Sequence, residues 1–264
     1  MKTLRTIGEV RRTLAGSRRI GLVPTMGAFH EGHLALFSAA RDECEVVVVS
    51  LFVNPAQFGA NEDFARYPRD EAGDARLAEA AGVDILFAPS AEEMYPDGHA
   101  TWVDVEEVGA EGLARPGHFR GVTTVCLKLF NIVQPQVAYF GQKDAQQAAV
   151  LRTMIRDLDL DLALDLRLVP TVRDPDGLAL SSRNAYLSED DRRQALALPR
   201  ALEAGRSAHV LGSDPVAAAR GALNGLEPDY VELFDLHGIT LLGAAARVGS
   251  TRLIDNIILE GDLK

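Results

Sequence analysis

The stretch VPTMGAFHEGH at residues 23–33 places two histidines, His30 and His33, where one type of secondary structure gives way to another. The apolar run 20–23 predicts a buried strand, and the amphipathic pattern of residues 31–42 predicts a helix. Ligands bind at such strand-to-helix junctions of parallel α/β sheets. Because Gly32 lets a phosphate approach the backbone and a helix start supplies free N–H groups, the stretch favours an anion site. The alternative is a plain helix start with two surface histidines.

Strand and helix patterns continue to alternate along most of the chain. Further strand patterns lie at 44–53, 83–88, 136–140 and 164–172, and helix patterns at 69–82, 121–133 and 143–158. Strands separated by helix-length segments predict βαβ units, which right-handed crossovers arrange into a parallel sheet. The expected fold class is therefore α/β, with a Rossmann-like doubly wound parallel sheet.

The pattern changes at the turn-forming residues 174–177. Ser188 and Asp191 then predict a helix start, with the helix running towards Gly205. A second helix is expected after Asp214, and two strand-like runs complete the chain at 229–236 and 247–258. We therefore expect two domains, residues 1–172 and a smaller α+β lid domain, residues 173–264.

Composition narrows the class of protein. The 264 residues carry a net charge of −11, which argues against a general nucleic-acid surface because such surfaces are basic. No stretch has the ~20 apolar residues of a membrane span, and the N-terminus lacks a signal-peptide core. Cys44 and Cys126 have no metal-like spacing and are expected to be reduced core thiols. These features predict a soluble cytoplasmic protein that does not bind a membrane.

Two polar segments suggest positions for substrate groups. Asn54 and Gln57 follow the 44–53 strand, where neutral amides can hold a hydroxyl or carboxylate, although Asn-Pro also marks ordinary turns. The segment 115–121 brings Arg115 and His118 together before a helix, which favours an anion site or a gate. Its alternative is a solvated basic loop.

Two further segments suggest contacts with phosphates. Lys143 opens a helix after a strand, so its charge adds to the helix terminus, and Asp144 can accept from a ribose. Ser181, Ser182 and Arg183 form a possible phosphate clamp, since arginine binds oxyanions with a planar fork. An exposed helix start and a polar interdomain loop are the respective alternatives.

Several common nucleotide and nucleophile motifs are absent from the sequence. It contains no Walker-type loop, no Gly-x-Gly-x-x-Gly fingerprint and no Gly-x-Ser-x-Gly elbow. The acidic residues form no isolated metal cluster, so a divalent ion is expected to arrive with nucleotide phosphates.

Taken together, the motifs resemble those of the pantothenate synthetases (pantoate–β-alanine ligases), a family of the nucleotidyltransferase superfamily. The resemblance runs almost end to end through VPTMGxxHxGH at 23–33, FVNPxQF at 52–58, RPGHFRG at 115–121, FGxKDxQQ at 140–147 and GLALSSRN at 177–184. The RLIDN run at 252–256 fits the family's terminal strand. Ala145 departs from the family by replacing an aromatic residue, which affects local packing rather than chemistry.

The resemblance implies an ATP-dependent condensation of (R)-pantoate with β-alanine, giving pantothenate, AMP and pyrophosphate through a pantoyl-adenylate. It further implies Mg²⁺ bound to the phosphates, with Asp74 as a weak candidate ligand, and a homodimer. Because the pantoate carboxylate attacks the α-phosphorus, catalysis is expected to be positioning and charge stabilisation.

The resemblance also implies a role for each motif residue. His30, His33, Lys143 and Arg183 are the expected catalytic residues, with His33 favoured as the proton donor. The expected nucleotide-binding residues are Met26, Gly27, His30, His33, Gly141, Gln142, Lys143, Asp144, Val172, Leu180, Ser181, Ser182 and Arg183. Gln57, Gln147 and Asn54 are expected to hold pantoate.

Three other functions are alternatives to this one. The first is an enzyme of the nucleotidyltransferase fold that adenylates a different small acid. Only the segments around Gln57 and Gln147 argue against it. A nucleotide sensor without turnover is opposed by the presence of all four expected catalytic residues. A tRNA-charging fragment is disfavoured by the acidic charge.

Overall fold

The computed structural model describes residues 1–60, 62–106, 109–236 and 238–263, and the larger of its two sheets is wholly parallel. Its strands run in the order β1-β4-β3-β2-β5-β6. They are β1 (Lys2–Leu4), β2 (Ile20–Thr25), β3 (Val46–Leu51), β4 (Ile85–Phe87), β5 (Val137–Gly141) and β6 (Asp165–Val169). The predicted Rossmann-like fold class is confirmed, with β1 as an added edge strand that the short N-terminal pattern did not reveal.

Helices cover both faces of this sheet. They are α1 (Ile7–Leu14), α2 (Glu31–Glu43), α3 (Glu71–Ala80), α4 (Ala91–Met94), α5 (Gly109–Ala114), α6 (His118–Val133) and α7 (Ala145–Asp157). Successive residues of a strand point to opposite faces, so Val48 of β3 joins the core formed with α1, α6 and α7. Val47 and Val49 join the core formed with α2 and α3. The sheet is therefore doubly wound.

The C-terminal part of the chain has its own core. It contains α8 (Glu189–Ala195), α9 (Ala197–Val210), α10 (Pro215–Ala222) and an antiparallel sheet of β7 (Pro228–Asp235), β8 (Thr240–Val248) and β9 (Thr251–Glu260). Residues 170–188 connect β6 to α8, and the predicted boundary at residue 172 falls within them. Across the described ranges, no helix combines the length and apolar character needed to cross a membrane.

Three sequence predictions need correction. The run 247–258 contains only the end of β8, the turn after it and most of β9. Strand β8 begins at Thr240, outside the predicted run, and pairs antiparallel with β9. The helix predicted to run from Ser188 to Gly205 is broken between α8 and α9, since Pro199 has no N–H to donate to Ala195. Helix α6 begins at His118 rather than at Gly121, so the histidine belongs to the first turn.

The order of the central strands brings the polar motifs together. Strand β2 lies between β3 and β5, and all three are parallel. The chain therefore leaves β2 towards one side of the sheet and later returns on the other side, which forms a switch point at the carboxyl ends. The segments after β2, β3 and β5 all begin at this edge.

Helix α6 closely approaches the short 3-10 helix Pro55–Gln57, and Gly121 allows that approach. A Cβ on Gly121 would lie 2.8 Å from the Gln57 amide nitrogen and closer still to the Ala56 carbonyl oxygen. Because both neighbours are backbone atoms, a larger side chain could be accommodated only by moving the helix that carries Gln57.

We expect Gly121→Ala to lower the free energy of unfolding by ~1–3 kcal/mol, the usual cost of overpacking. Urea unfolding followed by circular dichroism measures the change. Gly221→Ala is the matched control: it lies in α10 with no atom near its Cβ position, so alanine should stabilise by up to ~1 kcal/mol. Equal stability of the Gly121→Ala variant and the parent protein would contradict the packing argument.

Candidate active site

A cavity of about 220 Å³ opens at the carboxyl ends of β2, β3 and β5. Most of the residues that were predicted to bind nucleotide or pantoate line it: Met26, His30, His33, Gln57, Gly141, Lys143, Asp144, Gln147, Val172, Leu180, Ser181, Ser182 and Arg183. Gly27, Gln142, Asn54 and Asp74 are not among its lining residues. The structure thus brings all five sequence motifs to one place, since Arg115 and His118 also line the cavity.

The two histidines cap the start of α2 reciprocally. His30 is the N-cap residue, and its Nδ1 accepts from the Gly32 N–H at 3.1 Å. The His33 Nδ1 accepts from the His30 N–H at 3.3 Å. Since a backbone N–H can only donate, Nδ1 is the acceptor in both rings, and Nε2 carries the proton of each neutral ring. Each ring therefore has an N–H donor left for a ligand.

Burial keeps both rings neutral. Desolvation, with the charge of Lys143 as a further cause, lowers the pKa of His30 to about 4. Desolvation and the neighbouring His30 ring lower the pKa of His33 to about 3. At neutral pH the rings donate hydrogen bonds, so the free protein does not hold His33 in the protonated form that a proton donor requires.

Asp74 supports the turn that precedes this helix. Its two carboxylate oxygens accept from the N–H groups of Ala28 at 2.8 Å and Phe29 at 2.7 Å. Gly27 has a φ of +88°, and a Cβ there would lie 2.9 Å from Asp74 Oδ2. These contacts make Asp74 a support of the turn backbone, and its role as a ligand of Mg²⁺ stays a prediction. Gly27 likewise serves the shape of the turn.

Lys143 follows β5 and supplies a cation to the cavity. Its Nζ lies 3.2 Å from Asp144 Oδ1, and its side chain is 20% exposed. Asn256 of β9 fixes the backbone here, because its Nδ2 donates to the carbonyls of Gln142 and Lys143, both at 2.9 Å. The Gln142 side chain donates to Asn256 Oδ1 and so belongs to this support rather than to the cavity lining.

A chain of side-chain amides orients Gln57. Asn54 Nδ2 donates to Gln57 Oε1 at 3.0 Å and to the Gly121 carbonyl at 3.1 Å. Asn54 Oδ1 accepts from the Tyr95 hydroxyl at 2.9 Å and from the Ala56 N–H. These four partners fix the orientation of the Asn54 amide, so Gln57 Oε1 is occupied. The Gln57 Nε2 group has no partner among the described residues and can donate to a ligand. Asn54 is therefore a positioning residue beneath the cavity.

The 115–121 segment holds the backbone of Gln57. His118 Nδ1 donates to the Gln57 carbonyl at 2.9 Å, which leaves Nε2 to accept from Arg115 at 3.0 Å. Burial lowers the pKa of His118 to about 4, so this arrangement holds at neutral pH. Arg115 also pairs with Glu62, at 2.8 and 2.5 Å. Arg115 and His118 therefore hold the backbone of Gln57 and are not part of a solvated loop.

The loop that carries Ser181, Ser182 and Arg183 lies over the cavity. The Ser182 hydroxyl donates to the Ala28 carbonyl at 3.2 Å, which ties the loop to the turn after β2. Arg183 forms a bidentate ion pair with Asp63. Ser181 Oγ accepts from the Arg183 N–H at 3.3 Å.

Strand β9 anchors the start of this loop. Arg173 pairs with Asp255 at 2.6 and 2.9 Å and donates to the Gly177 carbonyl. Asp255 is buried, and it also accepts from the Asn256 N–H at 2.8 Å. One strand of the C-terminal sheet thus fixes both the Lys143 backbone and the loop of Ser181.

Three supporting residues of the site, Tyr95, Asp63 and Asn256, are not apparent from the sequence. Asn256 belongs to the RLIDN run, which carried a weak signal as part of a terminal strand. Tyr95 and Asp63 stand in segments without a regular pattern, and their partners lie 41 and 120 residues away along the chain.

The cavity combines neutral N–H donors with cations at a helix start. Such groups stabilise phosphate oxygens and the charge that develops when a phosphoryl group is transferred. The free amide of Gln57 lies among the same lining residues, where it can donate to the oxygens of a second substrate.

Comparison with known proteins agrees with this chemistry. The model of the Pantoate-beta-alanine ligase family matches residues 2–258. The chain belongs to this family. Its enzyme class, which the motifs predicted, is thereby confirmed: members are ligases that join pantoate to β-alanine.

Relatives of the family cover nearly the whole chain. A pantothenate synthetase of Moorella thermoacetica is 52% identical over 98% of this chain and 99% of its own length. The solved pantothenate synthetase of Thermus thermophilus is 46% identical, with a TM-score of 0.93, and covers 99% of this chain and 100% of its own. A ligase from Francisella tularensis, solved with beta-gamma ATP and beta-alanine, is 33% identical with a TM-score of 0.82 and covers 99% of both chains.

The neutral histidines predict how stability depends on pH. An unfolded histidine has a pKa near 6.5, above the folded values of about 4 and 3. Below pH ~6.5 the unfolded chain binds more protons, so the free energy of unfolding falls as the pH falls, by up to ~1.4 kcal/mol per pH unit for each ring.

Between pH 6.5 and pH 4.5, we expect His33→Gln to reduce the slope of unfolding free energy against pH by up to ~1.4 kcal/mol per pH unit. Urea unfolding of both proteins across that interval measures it. The same slope in the variant and the parent protein would show that the folded protein does not keep His33 neutral.

Proposed function

We propose that this chain catalyses the ATP-dependent condensation of (R)-pantoate with β-alanine, with the lining residues acting as predicted from the motifs. The observation that carries the proposal is that Lys143, Arg183 and the two capping imidazoles line one cavity together with the oriented amide of Gln57. Phosphate-binding groups and a carboxylate-binding group therefore face the same space.

In the first step, a carboxylate oxygen of pantoate attacks the α-phosphorus of ATP. The bond to the bridging oxygen of pyrophosphate breaks, and that oxygen takes the electron pair. His30 and His33 donate from Nε2 to the phosphate oxygens, and Lys143 stabilises the charge that develops on them. The neutral rings contribute hydrogen bonds without a proton transfer of their own.

In the second step, the amine of β-alanine attacks the acyl carbon of the pantoyl-adenylate. The C–O bond to phosphate breaks, the amide forms, the amine loses a proton to solvent, and AMP leaves with the electron pair of the broken bond. Neither step needs a covalent bond to the protein, so the contribution of the site is positioning and electrostatic stabilisation.

Gln57 and Gln147 hold pantoate in this proposal. Because Asn54 occupies Gln57 Oε1, the Nε2 group presents donors, which suit the carboxylate and hydroxyl oxygens of pantoate. Ser181, Ser182 and Arg183 hold the β- and γ-phosphates, and Asp144 accepts from the ribose. Met26, Gly141, Val172 and Leu180 form the walls around the nucleotide.

Mg²⁺ would enter with the phosphates of ATP. Among the described residues, no three or more acidic, histidine or cysteine side chains form a cage for a metal ion. This fits an ion that keeps several waters and takes its ligands from substrate phosphates and at most one or two carboxylates.

The proposal includes a cytoplasmic homodimer. Both cysteines are free and buried, which suits a reducing compartment. The homodimer is what the resemblance to the family implies. Light scattering of the purified protein measures the mass directly.

The activity is tested by pyrophosphate release from ATP and Mg²⁺. Sustained release with (R)-pantoate and β-alanine together, matched by pantothenate formation, supports the proposal. Release that does not depend on pantoate, or that another small acid supports better, would contradict it.

We expect Lys143→Ala to slow adenylate formation more than tenfold, equivalent to over ~1.4 kcal/mol of barrier. The first turnover of pyrophosphate release, followed by quenched flow with pantoate alone, measures this step. Lys2→Ala on the edge strand β1 is the control, because Lys2 is exposed and lies outside the cavity lining. A rate for the Lys143→Ala variant close to that of the parent protein would remove the assigned role.

We expect Gln57→Glu to raise the KM for pantoate at least tenfold while ATP binding is retained. One oxygen of the new carboxylate accepts from Asn54. The other oxygen replaces the Nε2 donor and repels the carboxylate of pantoate. Steady-state kinetics with varied pantoate measures the KM for pantoate. Calorimetric titration of an ATP analogue measures whether nucleotide binding is retained. An unchanged KM for pantoate would place the acid elsewhere.

A further inference from the structure

In this structure, the guanidinium of Arg183 is engaged by a carboxylate of its own chain. Arg183 Nε lies 2.9 Å from Asp63 Oδ2, and Arg183 Nη2 lies 2.9 Å from Asp63 Oδ1. The side chains are 26% and 13% exposed, so the pair is largely withdrawn from water. Two parallel N–H···O bonds of this kind are the arrangement with which arginine also binds phosphate.

Further contacts join the segment of Asp63 to the loop of Arg183. The Tyr186 hydroxyl donates to the Arg66 carbonyl at 2.8 Å. The Arg183 guanidinium lies 5.7 Å from the centre of the Tyr67 ring. On its other side, the segment is held by the ion pair of Glu62 with Arg115. The carboxylate of Asp63 is therefore presented to Arg183 by a segment that is fixed at both sides.

Arg183 stands at the boundary of two cavities. It lines the cavity of the candidate site and also a neighbouring cavity of about 350 Å³. Lys143, Asp144 and Ser181 line both as well, whereas Asp63 lines only the neighbouring one. The ion pair thus directs the guanidinium edge that carries Nε and Nη2 towards a wall of the second cavity.

We infer that Asp63 is an intramolecular competitor of the nucleotide for Arg183, released when the phosphates of ATP bind and paired again when pyrophosphate leaves. The inference rests on the proposed role of Arg183 as a phosphate ligand. The same guanidinium edge cannot hold a carboxylate and a phosphate in bidentate geometry at once, so binding is an exchange of one anion for another. Asp63 thereby weakens ATP and pyrophosphate binding together.

Charge supports the exchange. Hydrogen bonds and attraction from Arg183 lower the pKa of the Asp63 carboxyl despite its burial, so it remains ionised at neutral pH. Arg115, which pairs with Glu62 and with Glu111, also attracts Asp63. A substitution that removes only the negative charge of Asp63 leaves Arg183 free for phosphate.

The test is calorimetric titration of α,β-methylene-ATP with Mg²⁺, and separately of pyrophosphate with Mg²⁺. It uses the parent protein, Asp63→Asn, Arg183→Ala and the double variant. We expect Asp63→Asn to tighten both ligands roughly 3- to 10-fold, and Arg183→Ala to weaken them at least tenfold. In the double variant, the benefit of Asp63→Asn should disappear.

Glu203→Gln is the matched control, because it removes one negative charge from an ion pair with Arg206 on α9. It should leave both affinities unchanged. Thermal unfolding without ligand shows that Asp63→Asn is folded, and Asp63→Ser provides a second variant without the charge.

The outcomes separate the two ideas. If Arg183→Ala weakens binding while Asp63→Asn and Asp63→Ser leave it unchanged or weaken it, Asp63 positions Arg183 and the competition is refuted. If Arg183→Ala has no effect, the proposed phosphate role of Arg183 fails, and the inference fails with it. In turnover, competition also predicts a lower KM for ATP in Asp63→Asn, which a purely structural role would not produce.

Discussion

The site depends on the hydrogen bonding of β2 between β3 and β5 in a parallel sheet. Residues Gly21 and Leu22 of β2 pair with Val137 and Ala138 of β5, so both strands end at the same edge. Because the strands are parallel neighbours, the segments that follow them meet at this edge, although they lie far apart in the chain. Loops alone could not hold two substrates with comparable precision, because they lack this shared ladder of backbone bonds.

The chemistry follows from what that edge contains. Two imidazoles use Nδ1 to cap a helix, and burial keeps them neutral beside the cationic Lys143. Protonated rings would repel Lys143 and each other in a buried environment, whereas neutral rings still donate from Nε2. The hydrogen bonds that cap the helix therefore also fix the tautomer of each ring, and this tautomer leaves Nε2–H to bind phosphate. A site of this kind lowers a barrier by fixed donors and orientation rather than by a protein nucleophile.

Much of this could be predicted from the sequence, because periodicity and turn chemistry are local. The strands of the parallel sheet that precede the motifs were found at nearly their observed bounds. The fold of residues 240–260 was harder to predict, since the Ala-rich β8 has no clear alternation of apolar and polar residues. Supporting contacts were harder still: Asp63 meets Arg183, and Asp74 meets the turn at Ala28, only after the chain has folded. Motifs indicate the groups that touch a ligand, whereas their supports are set by packing.

The most direct test of positioning without covalent catalysis is to follow oxygen from pantoate. With both carboxylate oxygens of (R)-pantoate labelled with ¹⁸O, mass spectrometry of the AMP formed in a complete reaction measures where the label goes. The account predicts one ¹⁸O atom in each AMP, because the oxygen that attacks the α-phosphorus leaves with it. AMP without label, or an adenylylated protein isolated from the reaction, would contradict it.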